Sequence, residues 1–178
     1  PMTAAEALEA ANLDWQVNRE RLYLENSSEV YSHFATVRED TGDVLGVVGD
    51  RYTVLQNKEA FSFFDAIVGV KEAIYHTVGA LGKGEKIWLL AKLPGLIETT
   101  KTDITEKYIL LTNSHDGSSA VSVMLTPIRV VCQNTLNVAV EASTARTATR
   151  HTAGMGLRIN DIRETLGLVN AQFRLLET

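Results

Sequence analysis

The 178-residue chain has one cysteine, Cys132. A lone cysteine excludes an internal disulfide and any zinc site built from several thiolates of one chain, and it points to a reducing compartment. No apolar run approaches a membrane span; the longest, such as residues 87–91, have the length of a strand. The opening stretch lacks the basic start and long apolar centre of a signal peptide, and Pro1 before Met2 reads as a tag remnant. No low-complexity tract and no repeat of solenoid period breaks the chain. Aromatic residues make up only 7%, and the net charge of −5 lacks the general basic excess of a nucleic-acid binder. Asn26-Ser27-Ser28 matches a glycosylation acceptor, but nothing else points to secretion.

What is present is an ordinary globular composition, 45% hydrophobic and 22% charged, which excludes disorder. The length suits one core domain, taken as residues 2–156, and a helical appendage over residues 157–178 that packs on the core or on another copy. Thr3-Ala4-Ala5-Glu6 reads as a capping box opening a short helix over residues 4–12. Extended chain follows around Trp15, Val17, Leu22 and Leu24. Residues 34–38 and 44–48 flank Asp40-Thr41-Gly42-Asp43 as a hairpin, and residues 52–55 are extended again. Asn57 is placed to cap a helix whose buried face carries Ala60, Phe61, Phe64, Ile67 and Val68, with a stop at Gly69. A second hairpin joins residues 74–81 and 86–93 across Gly82-Lys83-Gly84-Glu85, and Pro94-Gly95 closes it. A third pairs residues 108–112 with 120–125.

From Asn134 the period becomes helical, with Leu136, Ala139 and Val140 on one face; residues 143–156 show no clean period. A last helix carries Leu157, Ile162, Leu166, Val169, Phe173 and Leu176. The expected class is α+β: a mainly antiparallel sheet of hairpins, one helix among them, helices at the C-terminal end, and the helices on one side.

Three clusters hold chemistry-bearing side chains. The first is the polar stretch Asn113, Ser114, His115, Asp116, Gly117, Ser118 and Ser119 between apolar strands. A hairpin loop with Asx and Ser hydrogen bonds explains it better than a metal site, which needs three or four converging ligands. The second runs from Arg129 to Leu136, where an arginine-bearing strand meets a helix N-terminus at Asn134 and Thr135. That arrangement fits either a phosphate or a buried arginine with an ordinary cap. Cys132, beside Val130 and Val131, reads as a buried small residue. The third spans Arg146, Arg150, His151 and the three threonines Thr147, Thr149 and Thr152, and then Gly154 and Gly156, a composition suited to a mobile loop on a phosphate backbone or to a solvated linker. Residues 125–160 hold four arginines, Arg129, Arg146, Arg150 and Arg158, against one acid, Glu141, a local excess of +3.

Several of these blocks, in this order, resemble the family known as domain of unknown function 932: Gly46-Val47-Val48-Gly49-Asp50-Arg51-Tyr52 through Gln56-Asn57, Ser114-His115-Asp116-Gly117-Ser118, Arg129-Val130-Val131-Cys132-Gln133-Asn134-Thr135-Leu136, and Arg150-His151-Thr152. The resemblance covers about residues 6–168, and the block from Arg129 is its most specific part. It implies a setting rather than a reaction: phages, prophages and plasmids, often beside replication or recombination genes, hence a host-cell cytoplasm. It brings no catalytic residues.

The leading expectation is a non-enzymatic nucleic-acid-binding accessory protein that binds or anneals single-stranded DNA, with Arg129, Arg146, Arg150, His151 and Arg158 as contacts and Tyr31, Tyr52 and Trp88 as stacking rings where exposed. The alternative is a protein-interaction module, either bound to a host factor or assembled as a homo-oligomer. A phosphate-ester enzyme would require His115, Asp116, Arg129 and His151 to converge. No cofactor, metal or membrane partner is expected.

Overall fold

The computed structural model describes residues 3–68, 74–92, 97–100, 103–105, 108–156, 158 and 161. The capping box forms as expected: Glu6 N–H donates to Thr3 Oγ1 at 3.2 Å and Thr3 N–H to Glu6 Oε2 at 2.7 Å. These bonds start α1, Ala4–Ala10, which buries Ala4, Ala7 and Leu8. The chain then builds a three-stranded antiparallel sheet from β1, Val17–Tyr23, β2, Glu29–Arg38, and β3, Val44–Gly49, in that order. The β2–β3 turn uses Gly42 at φ 73°, a conformation glycine adopts without steric cost.

An irregular stretch, residues 52–56, leads into α2, Asn57–Val68. The larger sheet follows: β4, Ile74–Leu81, β5, Lys86–Lys92, β8, Tyr108–Ser114, β9, Val121–Thr126, and β10, Thr144–Thr149. Its order is β10-β9-β8-β5-β4, and each neighbouring pair is antiparallel. A small ribbon of β6, Ile97–Thr100, and β7, Asp103–Thr105, lies in sequence between β5 and β8. Helix α3, Gln133–Glu141, follows β9. The fold is therefore α+β, built on antiparallel hairpins as the turn signals indicate.

The helices lie on both faces of the large sheet, not on one. Ile87, Leu89, Ile109, Leu111, Val121 and Val123 share a cluster with α1, α2, Trp15 and Val17. The alternate residues Trp88, Leu90, Tyr108, Leu110 and Met124 pack with Val130 and with Leu136 and Ala139 of α3. Strands β5, β8 and β9 are buried at nearly every position and carry apolar residues on both faces, and a strand with two apolar faces needs two covers. The unpatterned stretch after residue 143 is edge strand β10 rather than a mobile loop. The expected stop at Gly69, the closure at Pro94-Gly95 and, apart from residues 158 and 161, the helix over residues 157–178 lie outside the described residues.

Candidate functional site

Residues 52–56 run between β3 and α2 without ladder partners, so their backbone groups need other bonds. Side chains from distant segments supply several of them. His151 Nδ1 meets Thr53 O at 3.1 Å, and Thr53 N–H donates to His151 O at 2.9 Å. Asn113 Nδ2 donates to Leu55 O at 3.0 Å. His115 Nε2 meets Asn57 Oδ1 at 2.8 Å, while Asn57 Nδ2 donates to Leu13 O at 3.0 Å. Gln56 doubles as a strand partner for Val17, accepting from its N–H at 3.0 Å and donating to its C=O at 2.9 Å. Tyr52 Oη donates to Ser114 O at 2.7 Å, and its ring stacks on His151 with centroids 4.7 Å apart. Three of the four sequence blocks, those at residues 46–57, 114–118 and 150–152, thus meet in one buried polar cluster.

His115 is its centre. Its backbone N–H donates to Glu85 O at 2.7 Å, and its carbonyl accepts from Thr36 Oγ1 at 2.6 Å. The first extends the pairing of β8 with β5, and the second ties the three-stranded sheet to the larger one. The ring lies edge-on to Trp15, with centroids 5.6 Å apart. Burial pushes its pKa from 6.5 down to about 4; the nearby His151 pushes the same way, and Asp116 opposes. Burial likewise lowers the pKa of His151, against its bond to the Thr53 carbonyl. Both rings are neutral at pH 7. Desolvation also raises the pKa of Tyr52, with Asp116 adding to it, so its hydroxyl stays a donor.

This arrangement corrects several expectations. Asn113, Ser114 and His115 are fully buried, not part of a solvated loop. Only the stretch after them behaves as a turn: Ser118 N–H donates to Asp116 Oδ1 at 2.8 Å, and Ser119 N–H to Ser114 Oγ at 3.1 Å. His151 is buried against Tyr52, so it is not a surface contact for a phosphate backbone. Tyr52 and Trp88 are buried too, which removes them as stacking platforms and leaves Tyr31, 76% exposed.

Around α3, Asn134 is not the cap: the helix begins at Gln133, and Cys132 holds the N-cap position. Thr135 Oγ1 accepts from the N–H groups of Val131 and Cys132 at 2.9 and 3.0 Å, so its hydroxyl closes the helix start. Cys132 is exposed rather than buried, and bonds from Thr135, backbone first, lower its thiol pKa. No three His, Cys, Asp or Glu side chains among the described residues come together as a metal-ligand group.

The arginine side chains take no part in the hydrogen bonds described for this cluster. Arg129, Arg146, Arg150 and Arg158 are all exposed, and none has a carboxylate partner among the described residues. Arg146, on edge strand β10, reaches Ser122 Oγ at 3.5 Å. Ser122 lies between Val121 and Val123, so this contact is on the α3 side of the sheet, opposite the histidines. By contrast, Arg38 is held by Asp40 at 2.7 Å and covers the Trp15 ring at 4.4 Å. Beside it Asp14, Trp15, Gln16, Glu39 and Asp40 line an open groove of about 480 Å³ whose three carboxylates repel phosphate.

Sequence reasoning missed Tyr52, Gln56 and Asn57 as members of the cluster. The available signal was the strand period: Ile109, Leu111 and Asn113 fall on one face, which puts Asn113 in the core.

Two antiparallel sheets joined at a buried histidine, with helices on both faces of the larger one, define an α+β domain whose signature polar residues are largely internal. Residues 44–178 match the family described as Domain of unknown function (DUF932), and the chain belongs to that family. A search of curated proteins and a search of solved structures each returned no match. No helix among the described residues is long and apolar enough to cross a membrane.

Proposed function

We propose that the chain is a non-enzymatic nucleic-acid-binding accessory protein of a phage or plasmid, and that it holds single-stranded DNA through phosphate contacts from Arg129, Arg146, Arg150 and Arg158. The observation that carries this reading is the state of these four side chains. They are exposed and without carboxylate partners among the described residues, in a stretch of excess positive charge on an otherwise acidic chain. An unpaired guanidinium meets phosphate without first breaking an ion pair. An enzymatic use of His115 and His151 fits less well, because both rings are buried and already engaged with Asn57, Thr53 and Tyr52.

The test is fluorescence anisotropy with labelled single- and double-stranded DNA over a range of salt concentrations. Binding should weaken steeply with salt, and Arg146→Ala/Arg150→Ala should flatten the slope of log K against log salt by roughly 0.7 per lost single-strand contact. A folded sample that binds neither DNA at low salt would rule the proposal out.

A second reading, a protein-interaction module, has its own observation. From residue 18 to residue 33, the β1–β2 hairpin has no buried side chain, and Tyr23, Leu24 and Tyr31 stand 60%, 58% and 76% exposed. Exposed aromatic and apolar groups of this kind mark contact surfaces. Analytical ultracentrifugation over a concentration series distinguishes self-assembly through this arm from a monomer.

A further inference from the structure

The buried cluster holds more lone pairs than protons. Asn57 donates its Nδ2 proton to Leu13 O, so its Oδ1 is the acceptor facing His115, and His115 Nε2 must carry the ring proton. His115 Nδ1 is then a bare lone pair. His151 Nδ1 faces the Thr53 carbonyl, which only accepts, so that nitrogen carries the proton and His151 Nε2 is bare. Asn113 uses Nδ2 on Leu55 O, which leaves its Oδ1 as a third acceptor. These three atoms, with Thr149 Oγ1, are buried and have no hydrogen-bond partner among the described residues. The three acceptors belong to side chains fixed at their other end to the single segment from Thr53 to Asn57. The three side chains thus share one anchoring segment, and His151 lies close enough to His115 for the two rings to act on each other electrostatically.

Leaving a buried acceptor without a donor costs roughly 1–3 kcal/mol, and an interior polar cavity normally meets that need with water that makes two to four bonds. We infer that His115 Nδ1, Asn113 Oδ1 and His151 Nε2 line an internal site for at least two waters, because one water has two protons to give and the site has three lone pairs; this water joins the end of β8 to the end of β10. Water fits better than a metal ion. The rings are oriented by outer hydrogen bonds as ligands would be, but no third His, Cys, Asp or Glu joins them among the described residues. Asp116, the carboxylate whose charge acts on His115, is engaged with Ser118 N–H.

Long-range 15N–1H spectra of the labelled full chain at pH 7 test this without any substitution. His115 should appear as the Nε2–H tautomer and His151 as the Nδ1–H tautomer. Their bare nitrogens should be displaced upfield from the free lone-pair position, as accepted hydrogen bonds require. The non-exchanging ring C–H protons of both should show cross-relaxation with long-lived water. Bare nitrogens at the free position with no water contact would mean a dry site and overturn the inference, as would the opposite tautomers. Displacement of both bare nitrogens by one equivalent of Zn²⁺ would overturn it in favour of a metal.

Discussion

Placing a charge on a buried imidazole works against the fold, and at His115 the desolvation is strong. Its pKa is 6.5 as an ordinary histidine and about 4 in the folded chain. Between those values the unfolded chain binds more protons, so stability is full above pH 6.5 and is lost as pH falls toward 4. Going from pH 7.5 to pH 5 should remove about 2 kcal/mol; His151, also lowered by burial, adds loss in the same direction. Glu6, Asp40 and Asp43 have lowered pKa values, so their contributions fade only below their ordinary 4.5 and 3.8, outside this window. Urea unfolding at the two pH values measures the change, and a flat profile would contradict the neutral buried ring. A second residue-scale prediction concerns Tyr52→Phe, which keeps the ring on His151 but leaves Ser114 O without its donor; the loss should be about 1–2 kcal/mol by the same assay. The polar residues of this site were visible in the sequence as a cluster, but their burial was not. Ser114, His115 and Asp116 look like turn chemistry in isolation, and only the partners Leu55, Asn57 and Tyr52, about sixty residues earlier in the chain, explain why the strand runs on into them.

Among the elements, β3 and the turn after β8 approach more closely than any side chain allows. A methyl group on Gly46 would sit 2.6 Å from Asp116 Cα and 2.9 Å from its carbonyl oxygen, backbone that cannot turn aside. Gly46→Ala should therefore cost about 1–3 kcal/mol, the range for overpacking in a core, and a circular-dichroism melt would report it as a lowered Tm. Gly49, on the same strand with nothing within 4 Å, is the control: Gly49→Ala should leave the melt nearly unchanged. Most element boundaries were legible because the cues are local. The hairpin across Gly82–Glu85, the capping box at Thr3 and the helical period through Leu136 and Ala139 all formed. Strand β10 was not legible, because Thr144–Thr149 alternates Thr with Ala and Arg and has no apolar face; its β-branched threonines were the available cue. The division of helices between two faces was also missed. It follows from β5, β8 and β9 being apolar on both sides, a property of each whole strand rather than of its ends.

At the scale of the molecule, burial runs from a doubly covered centre to an uncovered arm, and exchange rates should follow it. Leu89, Leu90, Leu110 and Leu111 of β5 and β8 have no exposed surface, whereas residues 18–33 of β1 and β2 include no buried side chain. A hairpin that is not packed on its faces opens without unfolding the rest. Amides of that arm should exchange at least roughly a hundredfold faster than those of β5 and β8, a difference of about 3 kcal/mol in opening free energy. The same hydrogen-exchange experiment separates the two readings of function. Adding single-stranded DNA at low salt should slow exchange around Arg146 on edge strand β10 and Arg150 just after it, and leave the tyrosine-bearing arm unchanged. Protection of the arm that rises with protein concentration and ignores DNA would instead identify Tyr23, Leu24 and Tyr31 as an interface between copies, and the arginine reading would then lose its support.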